Sequence, residues 1–134
     1  MAYQDDIKKA AALLLPWNKL SGCNILVTGA TGLIGGCLVD VLMAHKGRNY
    51  NVYASGRNEE RAGRRFLKYA DDNAFHFVKY DVAQPLEYDV NFQYIIHAAS
   101  GAYPEEFIKH PVEVIKGNIN GLDNLMGYGI QHGI

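Results

Sequence analysis

A short apolar segment that leads directly into three evenly spaced glycines is the feature that most constrains the fold of this chain. Residues 23–28 (CNILVT) have the composition of a strand that is buried on both faces. Gly29, Gly32 and Gly35 follow at three-residue intervals, and from Leu33 to about His45 apolar residues recur at helical spacing. The pattern therefore predicts a strand, a tight glycine turn and a helix with one buried face.

Each glycine of this turn meets a different steric requirement. Gly29 lets the chain turn sharply off the strand, Gly32 lets a diphosphate approach the backbone, and Gly35 lets the helix pack closely on the sheet. The unpaired N–H groups of the first helical turn carry partial positive charge, which suits a pyrophosphate. Residues 28–35 (TGATGLIG) are therefore predicted to be the phosphate-binding turn of a dinucleotide site. A purely structural turn is the alternative, and a P-loop is excluded because no Gly-Lys-Ser/Thr follows.

The rest of the chain alternates between strand and helix patterns. Strands are predicted at residues 23–28, 50–55, 74–79 and 92–98, and helices at residues 4–15, 33–45, 58–69 and 104–131. Pro111 either bends the last helix or starts a new one. This order predicts an α/β fold, a Rossmann-type parallel sheet with helices on both faces, truncated after about four strands. Residues 1–20 are interpreted as an N-terminal helical extension and residues 21–134 as an incomplete Rossmann domain.

Charge and composition narrow the class of protein. Thirteen Lys and Arg against 14 Asp and Glu leave a net charge of −1, without the basic excess of a nucleic-acid-binding protein. No segment approaches the about 18 apolar residues that span a bilayer, and Asp5 and Asp6 lie where a signal peptide is positive. Cys23 and Cys37 have neither metal-ligand nor disulfide spacing and are interpreted as buried, reduced thiols. We expect a cytoplasmic protein with no metal site and no membrane or nucleic-acid partner.

Three further segments follow the glycine turn in a characteristic order. Asp81-Val82 comes after the third strand, IIHAAS (95–100) ends the fourth, and NINGLDNL (118–125) falls in the last helix. Together with the G-x-x-G-x-x-G spacing, they resemble the short-chain dehydrogenase/reductase family. They resemble in particular its extended branch, the NAD-dependent epimerases and dehydratases that act on nucleotide sugars. The resemblance covers residues 22–130.

This resemblance implies a nicotinamide dinucleotide, NAD or NADP, as the cofactor. Asp81 would contact the adenine, the end of the fourth strand would lie beside the nicotinamide ribose, and Asn118 would organise active-site hydrogen bonds. Ser100 and Tyr103 lie on the loop where a substrate or ribose could reach them. The predicted cofactor-binding residues are Gly29, Thr31, Gly32, Leu33, Ile34, Gly35, Arg57, Asn58, Asp81, Val82, His97, Ala98, Ala99, Ser100 and Asn118.

Structural roles remain open for three of these residues. Asp81 is also suited to a turn or a helix cap, and His97 at the end of a central strand is equally consistent with a hydrogen-bonded core histidine. Asn118 is equally consistent with a cap-like structural role.

The end of the second strand departs from the family pattern. Residues 54–58 (ASGRN) contain no acid before Glu59, where family members carry the Asp or Glu that binds the adenosine ribose 2′-OH. Arg57 is instead suited to pair with a 2′-phosphate, which favours NADP. Many nucleotide-sugar enzymes of the family keep NAD, so the choice between the two cofactors stays open.

The second departure concerns the family's catalytic Tyr-x-x-x-Lys pair. None of the nine tyrosines is followed by a lysine four residues later. The resemblance places that pair, and a catalytic Ser, after a fifth strand that would begin just beyond Ile134. No catalytic residue is therefore predicted here, apart from Asn118 as an organiser, and the chain is expected to be the N-terminal portion of a longer enzyme, inactive alone.

The resemblance implies that the parent enzyme oxidises a sugar hydroxyl by transient hydride transfer to NAD(P)+. Epimerisation, dehydration or decarboxylation would follow. Expected partners are a nicotinamide dinucleotide, a nucleotide sugar and a second copy of the chain, which self-associates as a homodimer through the helix at 104–131. The alternatives are a non-catalytic NAD(P)-sensing or scaffold module and a reductase of a non-sugar carbonyl. A methyltransferase is disfavoured because its glycine loop does not need this spacing.

Overall fold

The structure, a computed structural model, describes residues 2–101 and 104–134. The strands are β1 (Asn24–Thr28), β2 (Asn51–Gly56), β3 (Phe75–Lys79) and β4 (Tyr94–His97). The helices are α1 (Ala2–Ala11), α2 (Leu33–Ala44), α3 (Glu59–Arg65), α4 (Pro104–Lys109) and α5 (Pro111–His132), with short 3-10 turns at Trp17–Leu20 and Leu67–Tyr69.

The four strands form one parallel sheet in the order β3-β2-β1-β4. In the central strand, Leu26 lies opposite Tyr53 of β2 on one side and Ile95 of β4 on the other. The order of the strands reverses at β1, since β2 and β3 lie to one side of it and β4 to the other. Ligands of such sheets bind beyond the carboxyl ends of the strands at this reversal. The predicted Rossmann-type fold is confirmed.

Helices cover both faces of the sheet, and alternate residues of β1 belong to two separate cores. Ile25 and Val27 pack in a cluster with Val39 of α2, whereas Leu26 packs in a second cluster with Leu125 of α5. All three strand residues are almost completely buried. This double burial explains why β1 is a continuous apolar run rather than an alternating one.

Several element boundaries differ from the sequence prediction, and proline accounts for two of them. The first helix ends at Ala11 rather than 15, because Pro16 disfavours helical geometry in the preceding turn. Pro111 starts α5 as a separate helix, at the first-turn position where its missing N–H is tolerated. The helix predicted at 58–69 ends at Arg65, and a 3-10 turn follows.

The exposure of the two cysteines and the character of the helices were also predicted from the sequence. Cys23 and Cys37 are free, but both are partly exposed, so their expected full burial is wrong. Among the helices that the structure describes, none combines the length and apolar character needed to cross a membrane.

Candidate functional site

The turn after β1 has a conformation and a close contact that require glycine at 29. The φ angle of Gly29 is +64°, in the left-handed region that residues with a Cβ rarely adopt. A Cβ at this position would lie 2.5 Å from the carbonyl oxygen of Ala98 and 2.6 Å from the Cα of Ala99. The turn therefore packs directly on the chain that leaves β4, which brings together the ends of β1 and β4.

The other two glycines of the turn have distinct surroundings. A Cβ on Gly35 would overlap the carbonyl of Gly29. This glycine therefore packs against the turn itself, whereas the sequence predicted that it packs against the sheet. A Cβ on Gly32 would meet only the oxygen of Gly29, at 3.2 Å. The first helical bond of α2 runs from the N–H of Gly36 to the oxygen of Gly32 at 2.9 Å. The N–H groups before Gly36 in α2 therefore have no partner within the helix.

A cavity of about 500 Å³ lies beyond the carboxyl ends of the strands. It extends from the glycine turn, past the ends of β2 and β3, to the loop after β4 and the first turns of α5. The predicted site residues that line it are Gly29, Thr31, Gly32, Arg57, Asp81, Val82, Ala98, Ala99, Ser100 and Asn118. The fold thus brings together residues from five separate segments of the chain.

Five predicted site residues do not line this cavity, and Tyr103 lies outside the described residues. The side chains of Leu33 and Ile34 are exposed in the first turn of α2, and Gly35 is buried behind the turn. Asn58 caps α3, because its Oδ1 accepts a hydrogen bond from the N–H of Arg61 at 2.9 Å. The fifth residue is His97.

His97 has a hydrogen-bonding partner that the sequence analysis missed. Its Nδ1 lies 2.8 Å from Oγ1 of Thr28, which is fully buried. The same oxygen accepts a hydrogen bond from the N–H of Ala98 at 3.2 Å, so the Thr28 hydroxyl joins the end of β4 to β1. Burial lowers the pKa of His97, which favours the neutral imidazole. The bond to Thr28 is one that a core histidine makes, but the ring is only half-buried and also lines a second, apolar cavity with Leu122 and Met126.

The N-x-x-G-x-x-N segment of α5 holds the loops that follow β3 and β4. Asn118 Oδ1 accepts a hydrogen bond from the Ser100 hydroxyl at 3.1 Å, and Asn124 donates to the carbonyl of Val82 at 2.8 Å. A Cβ on Gly121 would lie 3.2 Å from the Val82 side chain, so this glycine allows α5 to pack closely on the loop after β3. Gly117, one turn earlier, has no neighbour within 4 Å of a Cβ position, so close packing does not require a glycine there.

Asp81 combines exposure at the cavity with a local structural role. Its Oδ1 accepts a hydrogen bond from the N–H of Ala83 at 3.0 Å, which closes a turn after β3. The side chain also lines the cavity. Both interpretations made from the sequence are therefore compatible with its position.

The cavity includes residues that the sequence analysis did not select. They are Gly56, Arg61, Tyr80, Ala83, Gly101, Glu106, His110, Glu113, Val114 and Gly117. Arg61 donates to the carbonyl of Thr31 at 3.3 Å, and helical spacing did not link it to Arg57 because Arg57 precedes the N-cap of α3. Tyr80 donates to the carbonyl of Gln84 at 2.8 Å, and burial raises its pKa to about 12, so it is not poised as a base at neutral pH.

Charge is distributed unevenly around the cavity. Arg57 and Arg61 lie at the end near β2, whereas Glu106 and Glu113 lie at the end near α4 and α5. Within residues 2–101 and 104–134, no group of three potential ligands is arranged to hold a metal ion. The cavity therefore has two arginines near β2, the glycine turn beside β1, and two glutamates near α4 and α5.

Sequence comparison identifies a protein family and several related enzymes that are similar to this chain. The NAD dependent epimerase/dehydratase family matches residues 25–134. UDP-glucuronic acid decarboxylase 6 of Arabidopsis thaliana is 34% identical over 110 residues, which are 80% of this chain and 30% of that protein. UDP-glucuronic acid decarboxylase 1 of Danio rerio is 30% identical over 105 residues, which are 77% of this chain and 23% of that protein. The chain thus spans less than a third of the length of these relatives.

Solved structures share the fold. Pen from Bacillus thuringiensis superposes with a TM-score of 0.70 at 23% identity, covering 84% of this chain and 35% of that one. The UDP-Glc/GlcNAc 4-epimerase of Campylobacter jejuni gives a TM-score of 0.65 at 21% identity, also covering 84% and 35%. The match over residues 25–134, together with the glycine turn and the cavity at the strand reversal, shows that the chain belongs to the NAD-dependent epimerase/dehydratase family.

Proposed function

We propose that this chain is the dinucleotide-binding portion of an enzyme that acts on a nucleotide sugar. One observation carries the proposal: the cavity joins the glycine turn, the cationic end of β2 and the polar end of β4 into a single site. A Cβ on Gly32 would meet no atom within 4 Å except the oxygen of Gly29, so the backbone at Gly32 is open to a ligand. These features fit a nicotinamide dinucleotide.

Three groups of residues in the cavity correspond to three parts of the proposed cofactor. The first-turn N–H groups of α2 would donate to the pyrophosphate, and the positive end of the helix dipole would favour its charge. Asp81 and Val82 would contact the adenine, and Arg57 would face the adenosine ribose. The loop at Ala98–Ser100, which Asn118 holds through Ser100, would lie beside the nicotinamide ribose.

The bound dinucleotide would supply a reversible hydride acceptor. The residues of this chain would bind and orient it, but none of the tyrosines in this chain has the lysine partner of the family's acid–base pair. We therefore propose sugar oxidation only for a protein that also contains such a pair, and not for this chain alone.

The decarboxylase relatives favour a nucleotide sugar over a non-sugar carbonyl as the substrate class. Oxidation of a ring hydroxyl to a ketone would precede decarboxylation, epimerisation or dehydration. Among these reactions, decarboxylation has the support of relatives at 30% identity or above.

Titration of the purified chain with NADH and NADPH, followed by nicotinamide fluorescence, tests the proposal. We expect saturable binding of at least one of them, and Gly32→Val should weaken it by about tenfold or more because the side chain occupies the pyrophosphate approach. Gly63→Val is the matched control, since a Cβ on Gly63 in α3 meets nothing within 4 Å. Binding of neither dinucleotide, or equal binding by Gly32→Val, would contradict the proposal.

A further inference from the structure

A buried carboxylate lies in the outer layer of the fold, away from the cavity. Asp40 of α2 is fully buried. It accepts hydrogen bonds from the hydroxyls of Tyr3 at 2.6 Å and Tyr69 at 2.7 Å, and it pairs with Arg65 at 2.6 Å and Lys68 at 3.0 Å. Burial raises the pKa of Tyr3 to about 12, so its hydroxyl remains a donor. A carboxylate is tolerated in such a place only when it is paired and hydrogen-bonded.

The groups around Asp40 come from separate parts of the chain. Tyr3 belongs to α1, whereas Arg65 is the last residue of α3. Nη2 of Arg65 also donates to the Tyr3 hydroxyl at 3.2 Å. The N-terminal helix and α3 thus share one carboxylate and contact each other there.

The Arg65 guanidinium lies directly against the start of α2. A Cβ on Gly36 would lie 3.0 Å from Nη2 of Arg65 and 3.1 Å from the carbonyl oxygen of Ala30. Ala30 belongs to the glycine turn that lines the cavity. The absence of a side chain at position 36 therefore lets the guanidinium pass close behind this turn on its way to Asp40.

A second arginine connects α3 to the same turn. Arg61 precedes Arg65 by one helical turn, and its Nη2 donates to the carbonyl of Thr31 at 3.3 Å. Residues four apart lie on one face of a helix, so this face of α3 contacts the glycine turn at one end and Asp40 at the other. Arg57, at the cationic end of the cavity, lies just before the same helix.

We propose that the N-terminal helix positions the dinucleotide site: contact of Tyr3 with Asp40 and Arg65 holds α3 against the glycine turn. Tyr3 and Asp40 are positioning residues, because neither lines the cavity. Docking of α1 and binding of the dinucleotide then strengthen each other, since coupling between two binding equilibria is reciprocal. This inference rests on the proposed dinucleotide function.

The test compares the full 134-residue chain with its Tyr3→Phe variant. Affinity for NADH and NADPH is measured by fluorescence titration, and backbone hydrogen exchange of residues 2–11 is measured with and without dinucleotide. We expect Tyr3→Phe to weaken binding by about three- to tenfold, the effect of one lost hydrogen bond. The dinucleotide should slow exchange in α1 of the parent chain and have little effect on α1 in the variant.

Tyr50→Phe is the matched control. The Tyr50 hydroxyl donates to the carbonyl of Leu42 at 2.6 Å in the last turn of α2, so this variant loses a comparable buried bond without removing a partner of Asp40. It should lower thermal stability and leave affinity unchanged. Three outcomes would each overturn this inference and leave the proposed function intact. In the first, Tyr3→Phe binds dinucleotide as tightly as the parent chain; in the second, dinucleotide does not change exchange in α1 of the parent chain. In the third, Tyr50→Phe weakens binding as much as Tyr3→Phe does. If the parent chain binds neither dinucleotide, the proposed function fails and the coupling fails with it.

Discussion

Arg57 lies at the end of β2, where an acidic residue would contact the 2′-hydroxyl of an adenosine ribose. It lines the cavity beside Arg61, and the nearest following acid is Glu59. We propose that its guanidinium faces the ribose 2′ position. A guanidinium there attracts a 2′-phosphate, whereas a carboxylate repels one.

The first prediction is that Arg57→Ala weakens binding of NADPH by about tenfold or more and that of NADH much less, because a charge-assisted hydrogen bond is lost only with NADPH. Parallel fluorescence titrations measure both dissociation constants. Arg64→Ala serves as the control, since Arg64 is exposed and pairs with Glu60 outside the cavity. An equal loss for both cofactors would rule out a 2′-phosphate role.

Residue types and local spacing were sufficient to select the glycines, but not to assign every side chain to the site. Gly29 and Gly32 were predictable because their steric demands arise within the turn itself. His97 was ambiguous, since its partner Thr28 comes from a strand 69 residues earlier. Glu106 and His110 gave no signal, because only the tertiary fold brings α4 and the start of α5 beside the cavity.

At the scale of helices, α5 contacts the loop after β3 through a glycine. Gly121 is buried against Val82, whereas a Cβ on Gly127 of the same helix meets nothing within 4 Å.

The second prediction is that Gly121→Leu lowers the midpoint of thermal unfolding, because the added side chain displaces α5. Gly127→Leu should raise stability by up to about 1 kcal/mol through helix propensity. Calorimetry of both variants measures the difference, and a shift of the same sign in both would refute this packing role.

The outer helices depend on Asp40 for their mutual contacts. Burial by itself raises the pKa of this carboxyl, but hydrogen bonds from Arg65, Tyr3, Tyr69 and Lys68 outweigh it and hold the pKa well below its usual value. The unfolded chain protonates Asp near pH 3.9, whereas the folded chain keeps this group charged to lower pH. Its contribution to stability is therefore complete above about pH 5 and is lost as the pH falls through about 4 toward the folded pKa.

The third prediction follows from that pH dependence. The free energy of unfolding of the parent chain should fall more steeply between pH 5 and about 3.5 than that of Asp40→Asn. Urea denaturation at each pH, followed by circular dichroism, gives both slopes. Asp71→Asn provides the reference for a carboxylate without an ion pair of its own among the described residues. Parallel slopes for Asp40→Asn and the parent would show that Asp40 does not titrate as described.

At the scale of the whole molecule, two neighbouring surfaces are apolar and exposed. One face of α5 exposes Ile115, Ile119, Leu122 and Met126, each by more than half. The strand β4 is an edge of the sheet, because it pairs only with β1 among the described strands. Exposed apolar stripes of this kind mark sites of association. We propose that the chain self-associates through α5.

The fourth prediction is that Ile119→Glu shifts the chain from dimer to monomer at micromolar concentration, because a charge cannot be buried unpaired in an apolar interface. Light scattering coupled to size-exclusion chromatography measures the mass of each species. Leu67→Glu is the control, as Leu67 is equally apolar and exposed but lies in the turn after α3. A monomeric parent chain under these conditions would contradict the proposal.

The sequence by itself determined the glycine turn, the alternation of strands and helices, and the family, because each depends on spacings within short segments. The tertiary structure decided which side chains meet. It separated His97 from the cavity, added Arg61 to it, and placed Tyr3 on Asp40 although the two residues lie 37 positions apart. Such contacts depend on the order of strands and the packing of helices, which no local pattern records.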